Sequence, residues 1–259
     1  MSKRLAGLRA IATVALMASL LTVATQISAR AVDIEFLCAT ALKSAAGELI
    51  PTFERARGDK INATFAPISA IAERIRKGDA ADLVIVSPRQ WEALRKEGKL
   101  DPAVRVVIAK VGVGVFVKTG AAKPDIASVG AFKRALLNAR SIAIGNPAIA
   151  APGAYAIRLF DRLGITAALK VKSSVITTGD PLEIVAKGDA EIGLSQISRV
   201  FVPGVELVGP LPAGIQNYTI FTAAIPANAR NPAAAKALID FLTSPTAASI
   251  LKSKGLTSP

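Results

Sequence analysis

Apolar, β-branched runs alternate along the chain with stretches whose apolar residues recur every three to four positions. Ala31 to Leu37 predicts a strand, Ala41 to Arg57 a helix, Ile61 to Phe65 a strand and Ala70 to Lys77 a helix. Asp82 to Val86 reads as a further strand, with Pro88 to Glu97 as the helix after it. Such a strand-helix order implies a mostly parallel sheet with helices on its faces. Val104 to Lys118, VRVVIAKVGVGVFVK, is too long and too interrupted by glycine for one flat strand, and predicts two strand pieces crossing between lobes.

A second series follows. Helices are expected at Val129 to Ala139, Tyr155 to Leu163 and Leu182 to Lys187, and strands at Ser141 to Ile144, Val171 to Thr177 and Ile192 to Gln196. Gln216 to Ile225 looks like a returning strand, and Ala233 to Leu242 and Pro245 to Lys254 like closing helices. One motif falls in both series: IRKGDAADLVIVS (Ile75 to Ser87) and VAKGDAEIGLSQ (Val185 to Gln196) each run from a helix end through Lys-Gly-Asp-Ala into a strand. The glycine suits a left-handed C′ cap in each. Two similar α/β lobes joined by crossing strands are the simplest reading, with residues 32–111 and 216–259 in lobe 1 and 112–215 in lobe 2.

The N-terminus carries a basic patch (Lys3, Arg4, Arg9), an apolar run from Ala10 to Ala24 and Ala29-Arg-Ala31, the pattern of a cleaved secretory signal over residues 1–31. Export to the periplasm is therefore expected. Losing the signal removes four basic residues and no acidic ones from a formal charge of +13, so the mature chain stays basic and attracts anions. The cations are scattered, aromatics are few and no nucleic-acid motif is present, so nucleic acid is not an expected partner. One cysteine permits no internal disulfide.

Histidine is absent from the 259 residues, which removes the commonest general base, the usual zinc ligand and every Ser-His-Asp arrangement. Ser249-Ile-Leu-Lys252 and Lys118-Thr-Gly120 mimic two motifs of penicillin-recognising enzymes, but in reversed order and without the third. No P-loop, Rossmann glycine pattern or acidic metal cluster is found. The reading is therefore a binding protein with no catalytic residues, no metal and no cofactor. What remains is a small polar residue at several helix starts: Thr40, Ser69, Gly153-Ala154 and Thr177-Thr178. Each is placed for an ordinary N-cap. Alternatively, free amides and helix dipoles at these N-termini converge on one anion.

These same segments resemble the molybdate-binding proteins of bacterial ABC importers, which have the type II periplasmic binding-protein fold. CATALKSAAGELIPTFERARG is similar to the family's opening A-A-S-L-x-x-A helix, FAPISAIAERIRKGDAADLVIVS to its F-x-x-S-x-x-L-A block, and IAIGNPAIAAPGAYAIRLFDRLG to I-A-I-G-D-P-x-x-V-P-A-G-x-Y. ITTGDPLEIVAKGDAEIGLSQIS and the closing NPAAAKALIDFLTSPTAASILKSKGL match as well, so the resemblance covers the whole mature chain. It implies a two-lobed protein that captures a small anion, a molybdate- or tungstate-like oxyanion, in the interlobe cleft and passes it to a permease and ATPase as a monomer. The implied ligand-binding positions are Thr40, Ser69, Thr178 and Gln196, with Gly153 and Ala154 supplying amides because Pro152 has no N–H. A small organic carboxylate, or a sensor without transport, stands as the alternative.

Overall fold

The computed structural model describes residues 31–171 and 175–258. The predicted signal segment lies outside the described residues. From Val32 onward the chain forms one compact unit.

Strand β1 (Asp33–Ala39) places Ile34, Phe36, Leu37, Cys38 and Ala39 in the interior, buried on both faces as a central parallel strand requires. It pairs in parallel with β2 (Lys60–Ala66) on one side and β3 (Leu83–Val86) on the other. The connecting helices α1 (Lys43–Arg57), α2 (Ile68–Lys77) and α3 (Pro88–Lys96) each bury one apolar stripe, such as Ala45, Leu49 and Phe53 of α1. Ser87 closes a capping box at the start of α3 with Gln90. Asp82, only 2 % exposed, accepts hydrogen bonds from the backbone N–H groups of Glu35, Arg230 and Asn231, so its buried charge is met entirely by local donors.

The long apolar segment is a single strand, β4 (Val106–Lys118), rather than two pieces. It remains continuous because two register shifts, at Val107/Ala109 and Val115/Phe116, bend it without interrupting its pairing. Up to Gly112 it runs antiparallel to β9 (Tyr218–Ala224), which also pairs with β3; from Val113 onward it pairs with β7 (Ile192–Gln196) and β8 (Val205–Pro210). At this transfer the side-chain amide of Gln216 behaves like a strand residue. Val113 N–H donates to Gln216 Oε1 (2.9 Å), and Gln216 Nε2 donates to the Val113 carbonyl (3.0 Å). A Cβ at position 112 would lie 3.0 Å from that amide, which explains the glycine.

Lobe 2 repeats the arrangement. Its strand β5 (Ile142–Ile144) pairs in parallel with β7 and with β6 (Val175–Ile176), flanked by α4 (Val129–Asn138), α5 (Ala151–Arg162), α6 (Thr166–Val171) and α7 (Pro181–Lys187). The strand order across both lobes is β2-β1-β3-β9-β4-β7-β5-β6, with β8 also on β4. Both Lys-Gly-Asp-Ala glycines adopt the left-handed conformation, Gly78 at φ 87° and Gly188 at φ 94°. Helices α8 (Pro232–Leu242) and α9 (Pro245–Ser253) return to lobe 1, where Leu238, Ile239 and Leu251 join Ile34, Phe36 and Phe53 in one core. A separate core of Val113, Val115, Phe132, Ile142 and Phe160 fills lobe 2.

Three expectations are corrected here. Val171 ends α6 and is exposed rather than opening a strand, and only Val175–Ile176 pairs with β5. Helix α5 starts at Ala151, four residues before Tyr155, because a proline at the second helical position costs no hydrogen bond and presets φ. Helix α2 likewise starts at Ile68, so Ser69 lies inside its first turn instead of capping it.

Candidate functional site

The parallel strands of both lobes point their C-terminal ends at one cleft, the place where open α/β sheets collect ligands. Thr40 follows β1, Ser69 follows β2, Ser87 follows β3, Gly145 follows β5 and Gln196 ends β7. All five line a cavity of about 410 Å³ between the lobes, together with the loop from Pro147 to Pro152, Ala154, Pro181, Ser195, Arg199, Thr219 and Phe221.

On the lobe 1 side, the hydroxyls of Thr40 and Ser69 are not used as caps. Ala39 and Pro67 occupy the N-cap positions of the short helical turn Thr40–Leu42 and of α2, and neither start carries a side-chain cap bond. Ser69 Oγ instead reaches across the cleft and donates to the Ile149 carbonyl at 3.4 Å. Thr40 is exposed on the cleft wall. The capping expectation therefore fails at both residues; the Thr40 hydroxyl is open on the wall, and the Ser69 hydroxyl would serve an anion by exchanging the Ile149 carbonyl for it.

On the lobe 2 side, the loop between β5 and α5 is a compact turn. Ile149 and Ala150 N–H groups both donate to the Asn146 carbonyl, and Ala148 N–H donates to Asn146 Oδ1 at 2.9 Å. Helix α5 then begins against it so closely that a Cβ at position 153 would lie 1.8 Å from the Gly145 carbonyl oxygen. Gly153 is thus buried behind the wall rather than on it. Ala154 is on the wall, but its N–H already donates to the Ala150 carbonyl at 2.9 Å. Gln196 lies on the wall with its Nε2 donating to Thr219 Oγ1 at 3.2 Å. Thr178 is exposed outside the cavity, and α7 is capped by Asp180, whose Oδ1 accepts from Leu182 N–H at 2.9 Å. The structure thus gathers Thr40, Ser69, Ala154 and Gln196, and places Gly153 and Thr178 elsewhere.

Arg199, which sequence reasoning missed, is the one charged side chain among the described residues of this wall. It sits in the helical turn after β7 and pairs with Asp180 Oδ2 at 2.7 Å. Ser87, Gln90 and Ser195 were also missed. The local signs of them were the place of Ser87 and Ser195 at strand ends and of Gln90 three residues into α3.

A larger depression of about 640 Å³ lies on the outer side of lobe 2, lined by Lys118, Arg134, Arg140 and Glu191 among others. All its walls belong to one lobe, so it offers no closure, and Arg140 and Glu191 on its lining pair with each other. Cys38 lies in the lobe 1 core, where burial pushes its thiol pKa up and keeps it protonated. Among the described residues no cluster of histidine, cysteine or acidic side chains could hold a metal ion, and no helix is long and apolar enough to cross a membrane.

Two α/β lobes, antiparallel crossing strands and a cleft at the strand ends define a type II periplasmic binding-protein fold. A solved periplasmic molybdate-binding protein from Azotobacter vinelandii superposes with a TM-score of 0.74 at 20% identity, over 87% of this chain and 99% of that one. The chain belongs to the bacterial extracellular solute-binding protein family, whose profile it matches over residues 34–257. Its relatives include an aconitate isomerase from a Pseudomonas species, 32% identical over 216 residues, 81% of each chain. The molybdate-binding protein of Escherichia coli K12 is 26% identical over 228 residues, 86% of this chain and 88% of that one.

Proposed function

We propose that this protein is the periplasmic solute-binding component of an ABC importer, working as a monomer that captures a small anion and presents it to a permease and ATPase. The observation that carries this reading is the pair of uncapped hydroxyls, Thr40 and Ser69, facing the lobe 2 loop across the cleft. Neutral donors bind an anion without an opposing charge that would have to be desolvated in the empty site. Closure of lobe 1 (32–111 and 216–259) on lobe 2 (112–215) about the crossing strands would exclude water.

Between the two ligand classes, the cleft favours a small organic carboxylate over a bare tetrahedral oxyanion. Its volume of about 410 Å³ falls in the ~300–1,000 Å³ range of organic-ligand sites. Pro152 contributes no N–H, and the Ala154 amide is already committed to its helix, so the loop is poorly furnished to ring a small ion with amides. The 32% identity to an aconitate isomerase points to the same chemistry.

That identity also supports a second reading, in which the bound carboxylate is isomerised by moving a proton between carbons. Such a step needs a base; no carboxylate is among the described residues lining the cleft, and Asp180, adjacent in sequence to the lining residue Pro181, is engaged by Arg199. Our reading is capture without turnover.

A thermal-shift panel tests capture: molybdate, tungstate, sulfate, phosphate, and mono-, di- and tricarboxylates are added to ligand-free protein. A ligand at 100 times its Kd adds about 2.7 kcal/mol, a rise of several degrees in Tm for a chain of this size. If no anion moves the Tm, the capture reading is wrong. Proton NMR of cis- or trans-aconitate incubated with the protein in D2O separates the two readings, since deuterium entering the methylene position would show turnover.

A further inference from the structure

We infer that Arg199 is a second anion anchor, buttressed by Asp180, and that it makes the cleft selective for ligands carrying two or more carboxylates. This rests on the capture reading above and names the ligand class of that same site. Three observations converge on it. Arg199 is the one charged side chain among the described residues lining the cleft, with its side chain about a quarter exposed. It has five N–H donors, and the structure engages its Nη2 with a single carboxylate oxygen, Asp180 Oδ2. Asp180 is itself fixed, because its other oxygen caps α7 through the Leu182 N–H.

The guanidinium is therefore held from behind by a group that cannot follow it away, while its remaining donors are free to form the two-pronged bond that a carboxylate accepts. Asp180 also neutralises Arg199 in the empty cleft, so the site carries no isolated buried charge before the ligand arrives. Thr40 and Ser69 follow β1 and β2, whereas Arg199 follows β7 and its guanidinium is held at the start of α7 by Asp180. A ligand with one anionic group is satisfied at either wall alone. One with two carboxylates on a short carbon chain engages both, and the carbon chain between them meets Ile68, Leu194 and Phe221.

Isothermal titration of the mature protein with molybdate, butyrate, glutarate and tricarballylate tests this, using wild type, Arg199→Gln, Arg199→Lys and Asp180→Asn. Wild type should bind glutarate or tricarballylate at least about tenfold more tightly than butyrate. Arg199→Gln should weaken glutarate and tricarballylate at least about tenfold more than butyrate or molybdate, erasing that preference. Arg199→Lys keeps the pair with Asp180 but loses the fork, and should recover part of the preference. Asp180→Asn retains the cap oxygen, and should weaken polycarboxylates with little change in Tm.

If Arg199→Gln leaves glutarate and tricarballylate within twofold, or weakens all four ligands equally while Arg199→Lys restores all four equally, the anchor role is overturned. Binding of molybdate by wild type without any carboxylate would leave the capture reading standing and overturn this one. Absence of binding by wild type to every ligand would overturn both.

Discussion

On lobe 1 the cleft-facing groups include two uncapped hydroxyls, Thr40 and Ser69, at helix starts; on lobe 2 they include a loop held by tight backbone packing. Two helix glycines mark a contrast in packing. Gly47 of α1 is exposed, and a Cβ there would meet nothing within 4 Å. Gly153 of α5 would drive its Cβ into the Gly145 carbonyl. Gly47 lies outside the cleft lining, whereas Gly153 lets α5 press against the loop that forms the lobe 2 wall, which is therefore set by contact between two backbone segments.

The largest expected effect is a change of sign between those glycines. Gly153→Ala should destabilise the fold by about 1–3 kcal/mol, because the backbone clash outweighs the helix propensity gained. Gly47→Ala should stabilise it by up to about 1 kcal/mol, since only propensity changes. Urea midpoints of the two variants check this, and equal shifts would erase the contrast.

Next in size are the hydroxyls. Thr40→Val and Ser69→Ala should each weaken anion binding by about 1–3 kcal/mol, since each removes a hydrogen bond to a charged ligand. Neither should change Tm appreciably, because neither hydroxyl caps its helix. Ser87→Ala provides the control: it removes a real capping box and should cost about 1 kcal/mol of stability. A Tm loss in Ser69→Ala as large as that in Ser87→Ala would make Ser69 structural.

The smallest effect concerns the outer face of lobe 2. The Arg140 backbone N–H and then its guanidinium hold Glu191 below the usual carboxylate range. A carboxylate lowered in the folded state contributes stability that is present above its unfolded pKa, near 4.3, and lost as the pH falls through the lower folded value. Because the pair is exposed, its worth is well under about 1 kcal/mol. The Tm difference between wild type and Glu191→Gln should be small at pH 7 and vanish as the pH falls below about 4. A difference that grew toward acid would have the wrong sign.

Features decided within a few residues were legible in the sequence. The strand-helix alternation, both left-handed glycines and the strand at Ile192–Gln196 depend on local pattern, and the structure has all of them. Helix starts near proline were misplaced, because Pro67 and Pro152 admit a helix earlier than the next good cap suggests. Strand β8 escaped notice because VELVGP contains glycine and proline and is a strand only through its pairing with β4. Within the site, Thr40, Ser69 and Gln196 could be found from their places at strand and helix ends. Arg199 could not, since its importance depends on Asp180, 19 residues away in sequence and brought beside it by the packing of α7 on β7.

Gln216 gives the crossing between the lobes an unusual kind of fastening. Val113 N–H also donates to the Asn217 carbonyl at 3.3 Å, and its carbonyl also accepts from Leu211 N–H at 3.1 Å. The Gln216 amide adds a second partner to each of these groups. The peptide at which the long strand changes partners is thus tied twice over, so neither of its polar groups depends on a single bond.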